Sequence, residues 1–267
     1  MVVHNLDKYS KIGIFDSGLG GLSVLNTLEG LLSKEGFIYI GDSLNAPYGT
    51  RSKEEVFELS KKICDDLVSK DVKAIVIACN TATSAAVSKL RDMYDIPIVG
   101  MEPAVKPALR QSEGQVVVLA TEMTLKEEKF LKLVDHIDDG YRVAKMPAPE
   151  WVDCVENHLH DEDFVKNCVD SFLDEKLPSA QNLVLGCTHF IFLSDYIKRY
   201  YNDKIELFDG NMGTALQLKN TLESMKLLLD EDIYQASELE RIEIYNSKSD
   251  EYVEKSKDLL KTLKRGK

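Results

Sequence analysis

The stretch AIVIACNTATSAAVSKL, residues 74–90, changes character at a thiol. A continuous apolar run, AIVIA (74–78), leads into Cys79-Asn80-Thr81, and an alanine-rich helical pattern follows over 82–94. An apolar run of that length fits a strand covered on both faces. NLVLGCTHFIFL (182–193) makes the same join at Cys187, followed by Thr188 and His189. One cysteine at the end of an apolar strand is ordinarily a small buried hydrophobe. Two in matching settings ask for a chemical reason.

Outward from these joins the chain alternates. KIGIF (11–15), GFIYIGD (36–42), AIVIA (74–78) and IPIVG (96–100) read as strands, separated by helical patterns at SVLNTLEGLL, 52–70 and 82–94. The pattern then restarts. QVVVLA (115–120), YRVAKMP (141–147), NLVLG (182–186) and IELFD (205–209) read as strands, with helices at 124–134, EWVDCVENHL and EDFVKNCVDSFL between them. Alternating β and α predicts parallel sheets with right-handed crossovers. Asp16 precedes Cys79 by 63 residues and Thr121 precedes Cys187 by 66, which predicts an internal duplication. The fold class expected is α/β, with two pseudosymmetric three-layer domains and parallel-type sheets. The tail carries a helix over 213–229, a strand at 241–247 and a helix over 250–264, with nothing that assigns it to either half.

Composition narrows the function. The chain has 267 residues, 44% hydrophobic and 29% charged, with a formal net charge of −12, as in a soluble globular protein. No basic stripe is available for nucleic acid or an anionic membrane surface, and the basic end at 261–267 reads as a solvated helix end. No apolar run reaches the roughly 20 residues that span a bilayer. The opening MVVHNLDKYSK is polar and has no signal-peptide core, so a cytoplasmic location is expected. Five cysteines without a C-x-x-C pair make neither a disulfide framework nor a metal-ligand spacing. Cys64, Cys154 and Cys168 fall inside helical patterns and read as packing residues.

Ligands of parallel α/β sheets bind outside the carboxyl ends of the strands. Asp16, Ser17, Asp42, Cys79, Asn80, Thr81, Thr121, Cys187, Thr188 and His189 all follow such ends. Two units facing one another would present both thiols to one bound molecule. A thiol at a helix start is readily ionised, and the unpaired N–H groups there also suit a carboxylate. Both cysteines are expected just ahead of such a start. Two thiols on opposite faces of a carbon acid can remove a proton from one face and return one on the other, inverting the centre. FDSGLGGLSVL (15–25) also tempts a dinucleotide reading, with Gly18 and Gly20 in G-x-G-x-x-G and Asp42 as the ribose acid. Ser23 in place of the third glycine, and Asp16 before the turn, argue against it.

The motifs GIFDSGLGGLSVL, YIGDSLNAPYGTRS, VIACNTATSAA, IPIVGMEPA, VLATEMT, APEWVDCVE and LVLGCTHF, spanning 13–190, resemble the glutamate racemases of the cofactor-independent aspartate/glutamate racemase superfamily. The His after Cys187-Thr188 and the opening Phe-Asp-Ser-Gly favour the glutamate branch over the aspartate branch. The resemblance implies a first domain of residues 1–102 plus 211–267 on the Cys79 side and a second of 103–210 on the Cys187 side, with the active site between them. It implies interconversion of L- and D-glutamate for peptidoglycan, without pyridoxal phosphate, metal or other cofactor, by a homodimer. Cys79 would deprotonate D-glutamate with help from Asp16. Cys187 would deprotonate L-glutamate with help from His189, and Glu156 would sit near His189. Ser17, Tyr48, Gly49, Asn80, Thr81, Thr121 and Thr188 would bind the carboxylates and ammonium, alongside Asp16 and His189.

Departures from the family pattern are Phe190-Ile191 for Tyr-Pro, Asp153 where a proline is usual, and the loosely matching FDGNMGTA (208–215). The roughly ten residues before the first strand do not match the N-terminal extension of precursor-activated members. Competing readings are a racemase of aspartate, a thiol hydrolase using one cysteine with His189 as base, and a binding protein on the same scaffold.

Overall fold

The computed structural model describes residues 6–137, 142–230, 233–234 and 241–265. The start of the polar opening (1–5), the first residue expected in the strand at 141–147, and the last two of the basic end fall outside them. The chain forms two compact units: residues through Met101 together with Asn211 onward, and Glu102–Gly210.

The first unit is built on β1 (Ile12–Asp16), β2 (Phe37–Gly41), β3 (Ala74–Ile77), β4 (Ile98–Gly100) and a strand from the tail, Ile242–Asn246. The sheet order is β4-β3-β1-β2 followed by the tail strand, and every pairing is parallel. Residues of β1, β2 and β3 are buried along their whole length, as expected of strands with helices on both faces. Helices α1 (Leu22–Leu31), α2 (Lys53–Ser69) and α3 (Asn80–Met93) are the crossovers. Helix α2 starts at a capping box: Ser52 Oγ accepts the Glu55 N–H, and Glu55 returns a bond to the Ser52 N–H. The tail strand pairs with β2, Ile242 opposite Phe37. A buried ion pair holds the segment before it: Lys73 Nζ lies 2.6 Å from Glu35 Oε2, with side chains 0% and 1% exposed. Lys73 also donates to the Leu227 carbonyl, and Glu35 accepts the Leu229 N–H.

The second unit repeats the plan with β5 (Val116–Ala120), β6 (Val143–Pro147), β7 (Asn182–Leu185) and β8 (Glu206–Asp209) in the order β6-β5-β7-β8, all parallel. Read in chain order, this is the order of the first four strands of the first sheet, so the duplication expected from the cysteine spacing is a topological fact. Alternating side chains divide between two cores. Val117, Leu119, Leu183 and Leu185 pack with helices α7 (Glu150–His158) and α8 (Glu162–Lys176). Val116, Val118, Ala120 and Val184 pack on the opposite face with α4 (Val105–Gln111), Phe130 and Val134. The period of two in a strand produces this three-layer arrangement directly.

The helix expected over 124–134 is two, α5 (Glu122–Lys126) and α6 (Glu128–Ile137), divided where Glu127 takes an extended ψ of 131°. The helix expected over 213–229 is α10 (Asn211–Ser224), after α9 (Ser194–Tyr200); just beyond its end Lys226 takes φ 58°. Among the described residues no helix is long and apolar enough to cross a membrane.

Candidate active site

In the first unit the expected residues gather at the carboxyl ends of β1, β2 and β3. Asp16 ends β1 and is fully buried, its Oδ1 accepting the Gly18 N–H at 2.8 Å. That bond uses an N–H of the glycine turn that a phosphate would need, which removes the basis of a dinucleotide reading. Gly21 opens α1 against this corner. A Cβ there would stand 2.5 Å from the Asp16 Cβ and 3.1 Å from the Ala78 Cβ, so only glycine allows the approach.

Cys79 follows β3, is 5% exposed and caps α3. Its Sγ accepts the Ala82 N–H at 3.4 Å and donates to Ser17 Oγ at 3.6 Å. A sulfur in this position faces the positive end of a four-turn helix, which favours an anion. Asn80, 4% exposed, has neither its Nδ2 nor its Oδ1 hydrogen-bonded. A buried amide with both ends unused is costly and calls for a partner, which water, an ion or a ligand can supply. Thr81 is buried beside it. Tyr48, buried in the short turn Tyr48–Thr50, donates to Asp42 Oδ2 at 2.6 Å; Gly49 follows it half-buried.

In the second unit Cys187 follows β7 and is 7% exposed. The expected α-helix start is not there. Cys187 opens a 3-10 turn, Thr188–Leu193, and makes no side-chain cap bond; α9 begins only at Ser194. The bulky run Phe190-Ile191-Phe192 favours burial over a regular helix: Phe190 is fully buried, edge-on to Trp151 at 5.4 Å, and its N–H bonds the Cys187 carbonyl. The Phe190 departure from the family pattern is thus part of the core, and Asp153 sits exposed in α7, accepting a bond from Asn157.

What Cys187 has instead is a side-chain relay. His189 Nδ1 lies 3.7 Å from Cys187 Sγ, and His189 Nε2 lies 2.7 Å from Glu156 Oε1. Both relay partners are buried, at 1% and 4% exposure. Burial alone pushes the imidazolium down, but the hydrogen bonds to Cys187 and Glu156 and their negative charge outweigh it. The His189 pKa is well above its ordinary value. With Nε2–H donating to Glu156, Nδ1 faces the sulfur and can take its proton or give one back. Thr188 is buried next to the thiol, and Thr121, at the end of β5, caps α5 by accepting the Thr124 N–H.

Strand register defines which residues correspond. The Ala78 N–H bonds the Phe15 carbonyl just before Cys79, and the Gly186 N–H bonds the Leu119 carbonyl just before Cys187. The counterpart of Thr121 is therefore Ser17, one residue beyond the Asp16 expected from spacing. The other thiols lie outside this arrangement. Burial pushes Cys64 up to about 12, and Cys154 and Cys168 hydrogen-bond each other between α7 and α8. Among the described residues no group of three His, Cys, Asp or Glu could hold a metal ion. Sequence reasoning named Asp42 at a strand end but not its partners: Asn45 donates to it from within the quoted motif YIGDSLNAPYGTRS, and Ser247 donates to it from some 200 residues away in the chain.

A duplicated parallel α/β fold with one thiol at the same strand end of each half has relatives. Residues 18–217 match the Asp/Glu/Hydantoin racemase family, and the chain belongs to it. It is 45% identical over 226 residues to the glutamate racemase of Bifidobacterium animalis subsp. lactis, covering 83% of this chain and 88% of that protein. Glutamate racemase isoform RacE1 from Bacillus anthracis matches with a TM-score of 0.81 at 29% identity, over 96% of this chain and 95% of that one. Escherichia coli glutamate racemase, solved in complex with L-glutamate and the activator UDP-MurNAc-ala, matches with a TM-score of 0.79 at 27% identity over 95% of each chain.

Proposed function

We propose that the protein is a glutamate racemase that inverts Cα by two-thiol proton transfer. The observation that carries this is the equivalence of Cys79 and Cys187, each just past the corresponding strand of a repeated sheet. In the D-to-L direction the Cys79 thiolate takes the α-proton and becomes a thiol. The electron pair left on Cα delocalises into the α-carboxylate, and Cys187 delivers its proton to the opposite face and becomes a thiolate. The L-to-D direction is the reverse.

The α-proton of an amino acid is a very weak acid, so the site must stabilise developing charge on the carboxylate. The α3 N-terminus and the unused Asn80 amide are suited to this, with Thr81 and Thr188 as further donors. Asp16 assists the Cys79 side, and the His189–Glu156 pair shuttles the proton on the Cys187 side. Ser17, Tyr48, Gly49 and Thr121 complete the contacts to substrate. The thiols supply the acid–base chemistry without pyridoxal phosphate or metal. The product would serve peptidoglycan synthesis, and we take the enzyme to be a cytoplasmic homodimer divided at about residues 102 and 210.

The test is purified protein with L-glutamate in D₂O containing a chelator and no added cofactor, followed by optical rotation and the α-proton NMR signal. Loss of rotation with deuterium entering Cα is expected, and either Cys→Ser replacement should slow the inversion by about 10³-fold. Equal turnover of aspartate would move the assignment to another acidic amino acid. Activity surviving replacement of one thiol would favour a single-nucleophile hydrolase scaffold.

A further inference from the structure

Tyr39 stands in the middle of β2, fully buried, and carries a hydroxyl in a strand whose other side chains are apolar. A phenylalanine would fill the same space without burying an oxygen, so that oxygen is costly unless it has a partner. It donates to the Gly18 carbonyl at 2.6 Å, from 21 residues away in the chain. Gly18 closes the corner by which the chain leaves β1, and its N–H donates to Asp16 Oδ1 at 2.8 Å. Gly18 is thus bonded on both sides, by the aspartate before it and by the tyrosine of the neighbouring strand. The fit is close. A Cβ at Gly41 would stand 2.7 Å from the Gly18 carbonyl oxygen and 3.3 Å from Tyr39 Cε1, and one at Gly21 would stand 3.1 Å from Tyr39 Cε2. The ring lies in a slot between two glycines, which fixes where its hydroxyl points.

Ser17 lies between the two residues so held. It is 4% exposed, and its Oγ accepts the Cys79 thiol at 3.6 Å. When Cys79 is a thiolate the pair reverses and the Ser17 hydroxyl donates to sulfur, since a hydroxyl can do either. A hydrogen bond to the charged form stabilises it, and the thiolate is the form that takes a proton. Asp16 is fixed by the sheet, its carbonyl accepting the Asp42 N–H at 3.0 Å. Ser17 comes after β1 has ended, so the bonds at Asp16 and Gly18 set where its hydroxyl stands. Hydrogen bonds weaken steeply as their geometry degrades, so the placing of this corner decides how well Ser17 serves the sulfur. Tyr39, the corner and Cys79 all belong to the first unit, whereas Cys187, His189 and Glu156 belong to the second.

We propose that Tyr39 is a positioning residue for the Cys79 half of the reaction, its hydroxyl holding the Asp16–Gly18 corner, through the Gly18 carbonyl, where Ser17 meets the sulfur. The proposal rests on the racemase reading, and it predicts an effect on one face only. Tyr39→Phe keeps the ring and removes the hydroxyl. At saturating substrate it should slow deuterium exchange into D-glutamate about tenfold in the Cys187→Ser background, the worth of one buried hydrogen bond. It should leave exchange into L-glutamate within about twofold in the Cys79→Ser background. In the two-thiol enzyme the primary isotope effect should rise for D-glutamate deuterated at Cα and fall for the L enantiomer, because proton transfer at Cys79 becomes slower relative to that at Cys187. This second readout decides the matter if the single-thiol variants exchange too slowly. Ser17→Ala should give the same one-sided loss, and Tyr39→Phe should add nothing to it. Ser17→Ala also keeps the test open if Tyr39→Phe does not fold. Equal slowing on both faces, no slowing, or additive losses would overturn the proposal. Racemisation by the wild type is followed in parallel. A wild type that binds glutamate but leaves its α-proton unexchanged would sink the racemase reading instead.

Discussion

Cys79 and Cys187 occupy the same place in two copies of one topology, yet their surroundings share little. Cys79 takes a backbone N–H from α3 and touches the Ser17 hydroxyl, with a buried aspartate at the end of the neighbouring strand. Cys187 has no helix beneath it and works against an imidazole that a buried glutamate holds in place. One thiol sits at the main-chain dipole of a helix start, the other against side chains. Duplication of a fold therefore reproduces positions, because strand order and register set them. The surroundings of each thiol are rebuilt locally, because two or three residues after the strand decide whether a helix or a 3-10 turn follows.

The comparison breaks most decisively at the thiols. Either Cys→Ser replacement should lower racemisation by about 10³-fold, within the range for loss of a positioned acid or base. The two variants should differ in exchange. Cys187→Ser retains the Cys79 face and should wash deuterium into D-glutamate without inversion, and Cys79→Ser should do so with L-glutamate. Mass spectrometry of the recovered enantiomers reads this, and identical exchange patterns would remove the assignment of faces.

Each unit also buries a carboxylate against a nitrogen base, to different ends. Lys73→Met leaves Glu35 charged in the core without its cation, and should cost about 3 kcal/mol in urea unfolding. Glu156→Gln should cost activity instead: kcat about tenfold lower, because His189 loses the group that orients it. Its alkaline limb should move to lower pH, since the raised His189 pKa depends in part on Glu156. An unchanged pH profile would leave Glu156 with a packing role only.

The same pair predicts a pH-dependent stability. The folded His189 pKa lies above its ordinary value of 6.5, so its charged form contributes stability that is full below that value and disappears as pH rises through the folded one. The stability gap between wild type and His189→Asn should be widest in mild acid and close on the alkaline side. The smallest effects belong to caps away from the chemistry. Ser52→Ala at α2 and Asp161→Ala, whose side chain accepts the Phe164 N–H at the start of α8, should each cost about 1 kcal/mol and leave turnover unchanged.

Much of this was readable from the chain alone. Apolar runs ending at Cys79 and Cys187, a β/α alternation that restarts near residue 115, and the matched spacing of the thiols define the fold class and the duplication. These are local or periodic properties, and a strand's burial on both faces is written in its own residues. Other features depend on groups that meet only after folding. The one-residue shift that pairs Ser17 with Thr121 comes from strand register. The turn after Cys187 comes from the packing of Phe190 on Trp151. Glu156, expected near His189 only from the family resemblance, reaches it from α7 across 33 residues, and Ser247 reaches Asp42 from the tail across 205. The chain alone marked which residues are candidates for acid–base chemistry and that they fall into two sets. What surrounds each set came only with the folded chain, because hydrogen-bond geometry and burial are properties of neighbours in space.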